Sequence, residues 1–542
     1  METGLMVRHF SSELVSATAH GGHGRDLPGA CSRESVACVV MAELERVMAP
    51  DAKGPLEPLS SLVAAGIDGG RLRDALVRIE GLYGMRFRDE WLASLHTCGD
   101  LIDCVAQRMF DAADRRVTPA EAAPAEAAIV SDSPQRGREA LGSDDPFPEC
   151  AALEERLAAL AENGLVNPFL LANEEVHGRT ATIAGRDVVS FASFDYLGLA
   201  GHPDVTRAAK DAIDRFGTSA SASRMVGGNS TLLDALDTEL AAFLGTQRAT
   251  VFPCGYGTNA SVFAHLFGAG DLILYDELAH DSIVRGASAS RAGKRSFRHN
   301  DADQLDGLLR DLRGDYRRVV VAIEGVYSMD GDYPDLPRFI EVKRRHDAML
   351  YVDEAHSIGT MGPSGRGICE FFSVDPAEGD LWMGTISKAL GSGGGYLAGS
   401  RRLIDYLGFT TPAFVFSTAC SPANAAAALE AVRVIRREPW RVTRVRQRSE
   451  LFLKLAIEAG LDTGPSGNTP VVPIIVGSSH RALAVSQRLL ERGINARPIL
   501  YPAVREAGAR IRFFITSEHS EEEIVQTVQE LAAAVAATAV SA

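Results

Sequence analysis

The chain has 542 residues, 46% of them hydrophobic and 23% charged, and its 71 Asp+Glu against 55 Lys+Arg leave a formal net charge of -16. These proportions describe a globular protein with a sizeable core and exclude a mainly disordered, collagen-like or coiled-coil chain. The acidic balance argues against general nucleic-acid binding, which rests on clustered bases that neutralise phosphate.

No run of about 18 apolar residues is present, so no membrane span is expected. The start, Met1-Glu2-Thr3-Gly4-Leu5-Met6, lacks the basic n-region and apolar run of a secretory signal. The eight cysteines are scattered and form no CxxC pair. Neither a disulfide framework nor a metal site is expected, and a reduced, cytoplasmic protein is.

Residues 1–30 are polar and Gly/His-rich without periodicity, which reads as a flexible leader. Residues 31–112 fit a small all-α unit of three or four helices, with apolar positions such as Leu76, Ile79 and Leu82 at helical spacing. In order stand Pro58-Leu59-Ser60-Ser61-Leu62, Gly66-Ile67-Asp68-Gly69-Gly70, a helix ending at Tyr83, and Thr97-Cys98-Gly99-Asp100-Leu101-Ile102-Asp103 opening a last helix. That order resembles an acyl or peptidyl carrier protein domain. Such carriers have Asp-Ser-Leu where this chain has Asp68-Gly69-Gly70, and glycine has no hydroxyl to accept phosphopantetheine. A carrier-like domain that cannot be charged at the usual position is expected. Residues 113–150, rich in Ala, Pro, Glu, Ser and Asp, read as a linker.

From residue 151 short β-branched runs alternate with amphipathic helices, the pattern of a largely parallel sheet wrapped by helices. Strands are expected at Ala249–Phe252, Leu272–Tyr275, Val319–Ile323, Met349–Val352 and Leu381–Met383, and helices at Ser230–Leu244 and Leu336–His346. A smaller C-terminal α/β domain is expected over 421–542, with strands at Val471–Val476 and Ile511–Ile515, after a large domain over 151–420.

Five polar motifs follow the expected strands of the large domain. In Gly384-Thr385-Ile386-Ser387-Lys388 a strand leads into hydroxyls and one lysine, followed by Gly391-Ser392-Gly393-Gly394-Gly395. A lysine there reads as a surface cation or as an amine able to form a Schiff base, with the hydroxyls gripping a phosphate. In Tyr351-Val352-Asp353-Glu354-Ala355-His356 the acid caps a helix or meets a pyridinium nitrogen. Pro253-Cys254-Gly255-Tyr256-Gly257-Thr258-Asn259 opens a helix whose bare N–H groups suit a phosphate. His280, in Asp276-Glu277-Leu278-Ala279-His280-Asp281-Ser282, is a core or surface histidine or a ring stacked on a cofactor. Ser328, in the 324–332 stretch, is placed to hydrogen-bond a ring hydroxyl. Ligands gather at the carboxyl edge of α/β sheets, so five such motifs at successive strand ends point to one site.

With Asp195-Tyr196-Leu197-Gly198-Leu199 and Gly362-Pro363-Ser364-Gly365-Arg366-Gly367, these motifs make residues 185–535 resemble the α-oxoamine synthases. These are pyridoxal-phosphate enzymes of aspartate-aminotransferase fold type I, with 8-amino-7-oxononanoate synthase and serine palmitoyltransferase among their branches. Ser223-Arg224-Met225, Arg298-His299-Asn300 and Ser517-Glu518-His519 resemble the serine palmitoyltransferase branch.

The resemblance implies pyridoxal 5'-phosphate as cofactor, with Lys388 carrying it and then shuttling the substrate α-proton. Asp353 pairs with the pyridinium, His280 stacks on the ring, and Ser328 and His356 contact the ring oxygen. Thr385 and the backbone of Cys254, Gly255 and Tyr256 bind phosphate. Ser417 and Thr418 reach the site of a neighbouring subunit in a homodimer, and Arg512 clamps the amino-acid carboxylate. Many members have Asn where this chain has Phe194, so carboxylate binding rests more on Arg512.

The implied reaction is decarboxylative condensation of serine, alanine or glycine with an acyl thioester, on CoA or an acyl carrier protein. Two alternatives stay open at this level. One is transamination or aldol cleavage on the same fold; the other is an interaction protein that docks carriers on an enzyme-like scaffold.

Overall fold

In the computed structural model the described residues are 147–162, 164–501 and 503–539, with ten positions of the N-terminal part. The chain divides into two compact units, Met1–Ala140 and Leu141–Ala542. In the first, Val40, Leu44, Ala75, Leu76, Cys98, Leu101, Ile102 and Val105 are helical and buried. The Asp68-Gly69-Gly70 stretch on which the carrier-like reading rests lies outside the described residues. A helix spans Pro148–Glu162, beginning in the last residues of the stretch read as a linker.

In the second unit, the first three strands are β1 (Glu175–His177), β2 (Thr180–Ile183) and β3 (Arg186–Ser190). Next come β4 (Arg248–Phe252), β5 (Asp271–Asp276), β6 (Gly293–Phe297), β7 (Arg318–Glu324), β8 (Met349–Asp353), β9 (Leu381–Thr385) and β10 (Gly395–Gly399). These seven form one sheet in the order β4-β10-β9-β8-β7-β5-β6. The run from β9 to β6 is parallel, and β10 runs antiparallel to both β4 and β9.

Strands β7, β8 and β9 are buried along almost their whole length, as a parallel sheet covered on both faces requires. That double burial is why their sequences read as continuous apolar runs. Strand β10 did not read as a strand, because glycine is depleted from sheets. Here glycine is a packing requirement: a Cβ on Gly395 would lie 2.7 Å from Thr258 Oγ1 and 2.8 Å from Gly255 Cα.

Helices α1 (Pro203–Phe216), α2 (Thr231–Leu244), α3 (Gly255–Leu266) and α4 (Asp281–Ala289) come next along the chain, and α2, α3 and α4 pack on the sheet. Helix α2 starts where the sequence places it, with Ser230 Oγ accepting from Leu233 N–H at 3.3 Å, and stops at Gly245 with φ 75°. Helix α5 (Pro422–Arg437) packs on α1 and α2, and its Ala425–Ile435 face joins the core of the large sheet.

A second core forms around Phe191, Phe452, Phe513 and Ile524. It draws on helices α6 (Trp440–Glu458), α7 (Ser479–Glu491) and α8 (Glu521–Ala539). Its strands are β11 (Val471–Ile475), β12 (Ile494–Asn495), β13 (Arg497–Ile499) and β14 (Arg510–Phe514). β11, β14 and β13 make an antiparallel sheet, whereas β12 runs parallel to β3 and ties the 175–190 hairpins to the C-terminal part. Among the described residues no helix is long and apolar enough to cross a membrane.

Candidate active site

The carboxyl ends of β7, β8 and β9 and the N-terminus of α3 enclose a cavity of about 180 Å³, with Tyr256, His280, Glu324, Asp353, His356 and Lys388 on its wall. Cys254 is the N-cap of α3, and its Sγ accepts from Gly257 N–H at 3.1 Å. The N–H groups of Gly255 and Tyr256 point out of the first turn without intrahelical partners, the arrangement that holds an anion. Gly255 faces the Thr385 hydroxyl: a Cβ there would sit 3.2 Å from Oγ1. Thr385 Oγ1 lies 2.5 Å from Ser387 Oγ and donates to the Gly394 carbonyl at 2.8 Å. A small anion in this corner would meet the helix N-terminus directly and the two hydroxyls once their protons turn from these partners.

Asp353 closes the opposite wall. Its Oδ2 accepts from Asn259 Nδ2 at 2.7 Å and its Oδ1 from Ala355 N–H at 2.9 Å. Asn259 in turn donates to Ser282 Oγ at 2.9 Å and accepts from the Tyr351 hydroxyl at 2.6 Å. Ser282 lies 2.7 Å from His280 Nδ1, so one network orients both the acid and the imidazole. His280 N–H donates to Glu324 Oε1 at 2.6 Å. Burial, reinforced by the Asp353 charge, raises the Glu324 carboxyl well above its ordinary range. Burial lowers His280 below its ordinary value, so its ring is neutral near pH 7.

Lys388 is half-buried, with its amine turned into the cavity. Burial outweighs the attraction of Asp353 and Glu324 and brings its amine down to about 8. His356 Nδ1 lies 2.6 Å from the Tyr196 hydroxyl in a fully buried contact. Burial, with the charges of Lys388 and Arg512, keeps His356 well below the ordinary histidine range.

The Phe194 ring stands 5.7 Å from Lys388 Nζ and 5.9 Å from the Arg512 guanidinium carbon. It meets His356 and Phe514 edge-on at 5.9 and 4.5 Å. Arg512, from β14, donates Nη1 to the Ser328 carbonyl at 2.7 Å and stacks over Phe514 at 4.6 Å. Its Nε is buried without a partner. A guanidinium with an unused N–H beside the lysine fits an incoming carboxylate.

Of the residues expected from sequence, Gly255, Tyr256, His280, Asp353, His356, Thr385 and Lys388 line this one cavity. Cys254 borders it, and Phe194 and Arg512 adjoin Lys388. Ser328 is not on its wall; its carbonyl holds Arg512. Ser417 and Thr418 do not line it within the single chain, and they follow Phe416, which is 84% exposed. The sequence reading assigned no role to Asn259, Ser282, Glu324 or Tyr196. Each sits inside a motif already singled out, but their pairings link positions 23 to 160 residues apart.

A larger cavity of about 450 Å³ adjoins the first and shares Ser387 and Lys388 with it. Phe194, Ser193 and Ser190 line it, and it extends to Asn495 and Arg497.

Residues 186–531 match the model of the aminotransferase class I and II family. The chain is 38% identical over 380 residues to 8-amino-7-oxononanoate synthase of Symbiobacterium thermophilum, covering 70% of this chain and 96% of that protein. Serine palmitoyltransferase of Sphingomonas wittichii superposes with a TM-score of 0.70 at 30% identity, over 73% of this chain and 99% of the other. The serine palmitoyltransferase of S. paucimobilis, solved with PLP and myriocin bound, gives 0.71 at 28% identity, over 73% of this chain and all of the other.

Proposed function

Because the chain belongs to the aminotransferase class I and II family, we propose that it condenses a small amino acid with an acyl thioester, using pyridoxal 5'-phosphate. The amino acid is serine, alanine or glycine, and the products are carbon dioxide, a free thiol and an α-amino ketone. The observation that carries this reading is a buried amine of lowered pKa, Lys388, in one cavity with the Asp353 carboxylate and the bare N-terminus of α3.

The residues fit the cofactor. The α3 amides of Gly255 and Tyr256, with Thr385, would take the phosphate. Asp353, locked by Asn259, would pair with the pyridinium nitrogen. His280 would offer a neutral ring face, and His356 would contact the ring oxygen. The Tyr196 hydroxyl holds Nδ1 of His356 and so fixes the orientation of its ring. When bound, the cofactor supplies an electron sink for the pair of electrons left at the substrate α-carbon.

This chain's own residues do the rest. Lys388, neutral above about pH 8, takes the α-proton. Arg512 holds the carboxylate while the α-carbon bonds to the acyl carbon and thiolate departs. The carbon–carboxylate bond then breaks, and Lys388 returns a proton to the α-carbon. Further parts of the reading are a cytoplasmic homodimer in which Ser417 and Thr418 complete the partner's phosphate site, and a carrier-like N-terminal domain in the same chain. Exposed Phe416 next to those two residues supports such a contact.

The test is carbon dioxide release that requires both an amino acid and an acyl thioester, with Lys388→Ala as control. That variant should lose the visible absorbance of bound pyridoxal phosphate and at least a thousandfold in turnover. Transamination would instead give a keto acid without thioester, and unchanged turnover in Lys388→Ala would overturn the reading.

A further inference from the structure

The stretch after β7 closes into a tight loop. Tyr327 N–H donates to the Asp332 carbonyl at 2.9 Å and Gly331 N–H to the Tyr327 carbonyl at 2.8 Å. Residues just after β6 hold its base: Asp332 accepts from Asn300 Nδ2 at 2.9 Å and lies 2.7 Å from His299 Nε2. The C-terminal part holds its tip, where the Gly331 carbonyl accepts from Gly467 N–H at 3.0 Å and Thr469 Oγ1 at 2.7 Å. Gly331 has φ 70°, and a Cβ there would lie 1.8 Å from the Val471 carbonyl oxygen, so no larger residue fits.

Between these anchors the loop meets two arginines of β14. Arg510 and Arg512 stand two residues apart and so share one face of the strand. Arg510 Nη1 donates to Asp330 Oδ1 at 2.6 Å and to the Met329 carbonyl at 3.0 Å, and both charged side chains are buried. Arg512 meets the same loop through neutral partners, the Ser328 carbonyl and Met329 Sδ. Burial lowers the Arg512 guanidinium to about 10, and the nearby Arg510 charge adds to that. The Asp330 carboxylate pairs with Arg510, and Arg512 keeps its charge for a ligand.

We propose that Asp330 is a positioning residue for the amino-acid site: by fastening Arg510 it fixes the loop whose Ser328 carbonyl aims Arg512. The inference rests on the reading in which Arg512 holds the substrate carboxylate. A two-bond grip on a carboxylate needs the guanidinium plane aligned, so a loosened loop weakens it. Asp330 itself touches neither substrate nor cofactor, and its effect passes through Arg512.

The experiment uses the full-length holoprotein with whichever of glycine, alanine or serine turns over. Asp330→Asn should raise KM for that amino acid about tenfold, the scale of one weakened hydrogen bond to a charged group. KM for the acyl thioester and the absorbance of bound cofactor should stay as they are, and Asp330→Glu should recover most of the loss. Binding of the matching amine without a carboxylate (methylamine, ethylamine or ethanolamine), read from that absorbance, should not change. In protein already carrying Arg512→Lys, adding Asp330→Asn should move KM by less than about twofold. Asp330→Leu combined with Arg510→Met leaves neither charge buried alone, and it should raise the same KM about as much as Asp330→Asn.

Equal losses for the amino acid, the amine and the thioester would overturn the inference, because they mark a general loosening of the site. So would a full effect of Asp330→Asn in the Arg512→Lys background, or an amino-acid KM that no Asp330 variant moves. An Arg512→Lys protein with unchanged KM for the amino acid would instead remove the reading on which the inference rests.

Discussion

Asn259 donates its side-chain amide to Asp353 at 2.7 Å, across a gap of 94 residues, while bonding to Ser282 and the Tyr351 hydroxyl. All four groups are buried, so the amide both orients the acid and satisfies two hydroxyls. Leaving such groups unpaired costs about 1–3 kcal/mol. Asn259→Leu should weaken pyridoxal phosphate binding roughly tenfold to a hundredfold, measured by titrating the absorbance of the reconstituted protein. Asp353→Asn keeps the shape and removes the charge. It should lower kcat by about a hundredfold or more, the scale of losing one preorganised electrostatic partner.

Burial brings the Lys388 amine to about 8, and only its neutral form attacks an aldehyde. Uptake of pyridoxal phosphate by protein freed of cofactor should therefore rise about tenfold per pH unit and level off near pH 8. An inflection near the ordinary lysine value would show that burial does not act on this amine.

His299 stands between Asp276 and Asp332, with ring nitrogens 2.9 and 2.7 Å from their oxygens. Burial pulls its pKa down, but the two carboxylates outweigh that and hold it at about 10. A folded value above the unfolded one means that the stabilisation is complete below about pH 6.5 and is lost as pH rises through about 10. His299→Gln leaves two buried acids without their cation, so it should cost about 3–5 kcal/mol near pH 6. The difference from the unaltered protein should shrink towards pH 10, as denaturant unfolding at several pH values would reveal.

Phe194 fills the space between Lys388 and Arg512 with a ring that cannot hydrogen-bond a carboxylate. Phe194→Asn should lower KM for the amino acid about tenfold, as expected for one hydrogen bond to a charged group. Its lost edge contact with Phe514 should cost about 0.5–1.5 kcal/mol of stability. Arg512→Lys removes the fork and should raise the same KM by tenfold or more, leaving the absorbance of the bound cofactor in place. Steady-state kinetics with the amino acid varied would read both.

Much of the site was legible because a parallel sheet writes its own map. Doubly buried strands such as Val319–Ile323 and Met349–Val352 stand out as apolar runs, and the polar residue just after each must lie at the same sheet edge. Lys388, Asp353 and His280 were found this way, without knowledge of any contact. Strand β10 was hidden because its glycines answer to close neighbours, Gly395 to the α3 backbone and Gly399 to the Asp380 carbonyl, rather than to strand propensity.

The order of residues along the chain determined the layered fold, the helix caps and the identity of the reactive groups, since these follow from local periodicity and side-chain chemistry. Only the tertiary structure decided which groups control them. Asn259 holds Asp353, Tyr196 holds His356, and the Ser328 carbonyl holds Arg512, each across at least 94 residues of sequence. Burial likewise decided the protonation of Lys388 and Glu324, because desolvation depends on what surrounds a group and not on its neighbours in sequence.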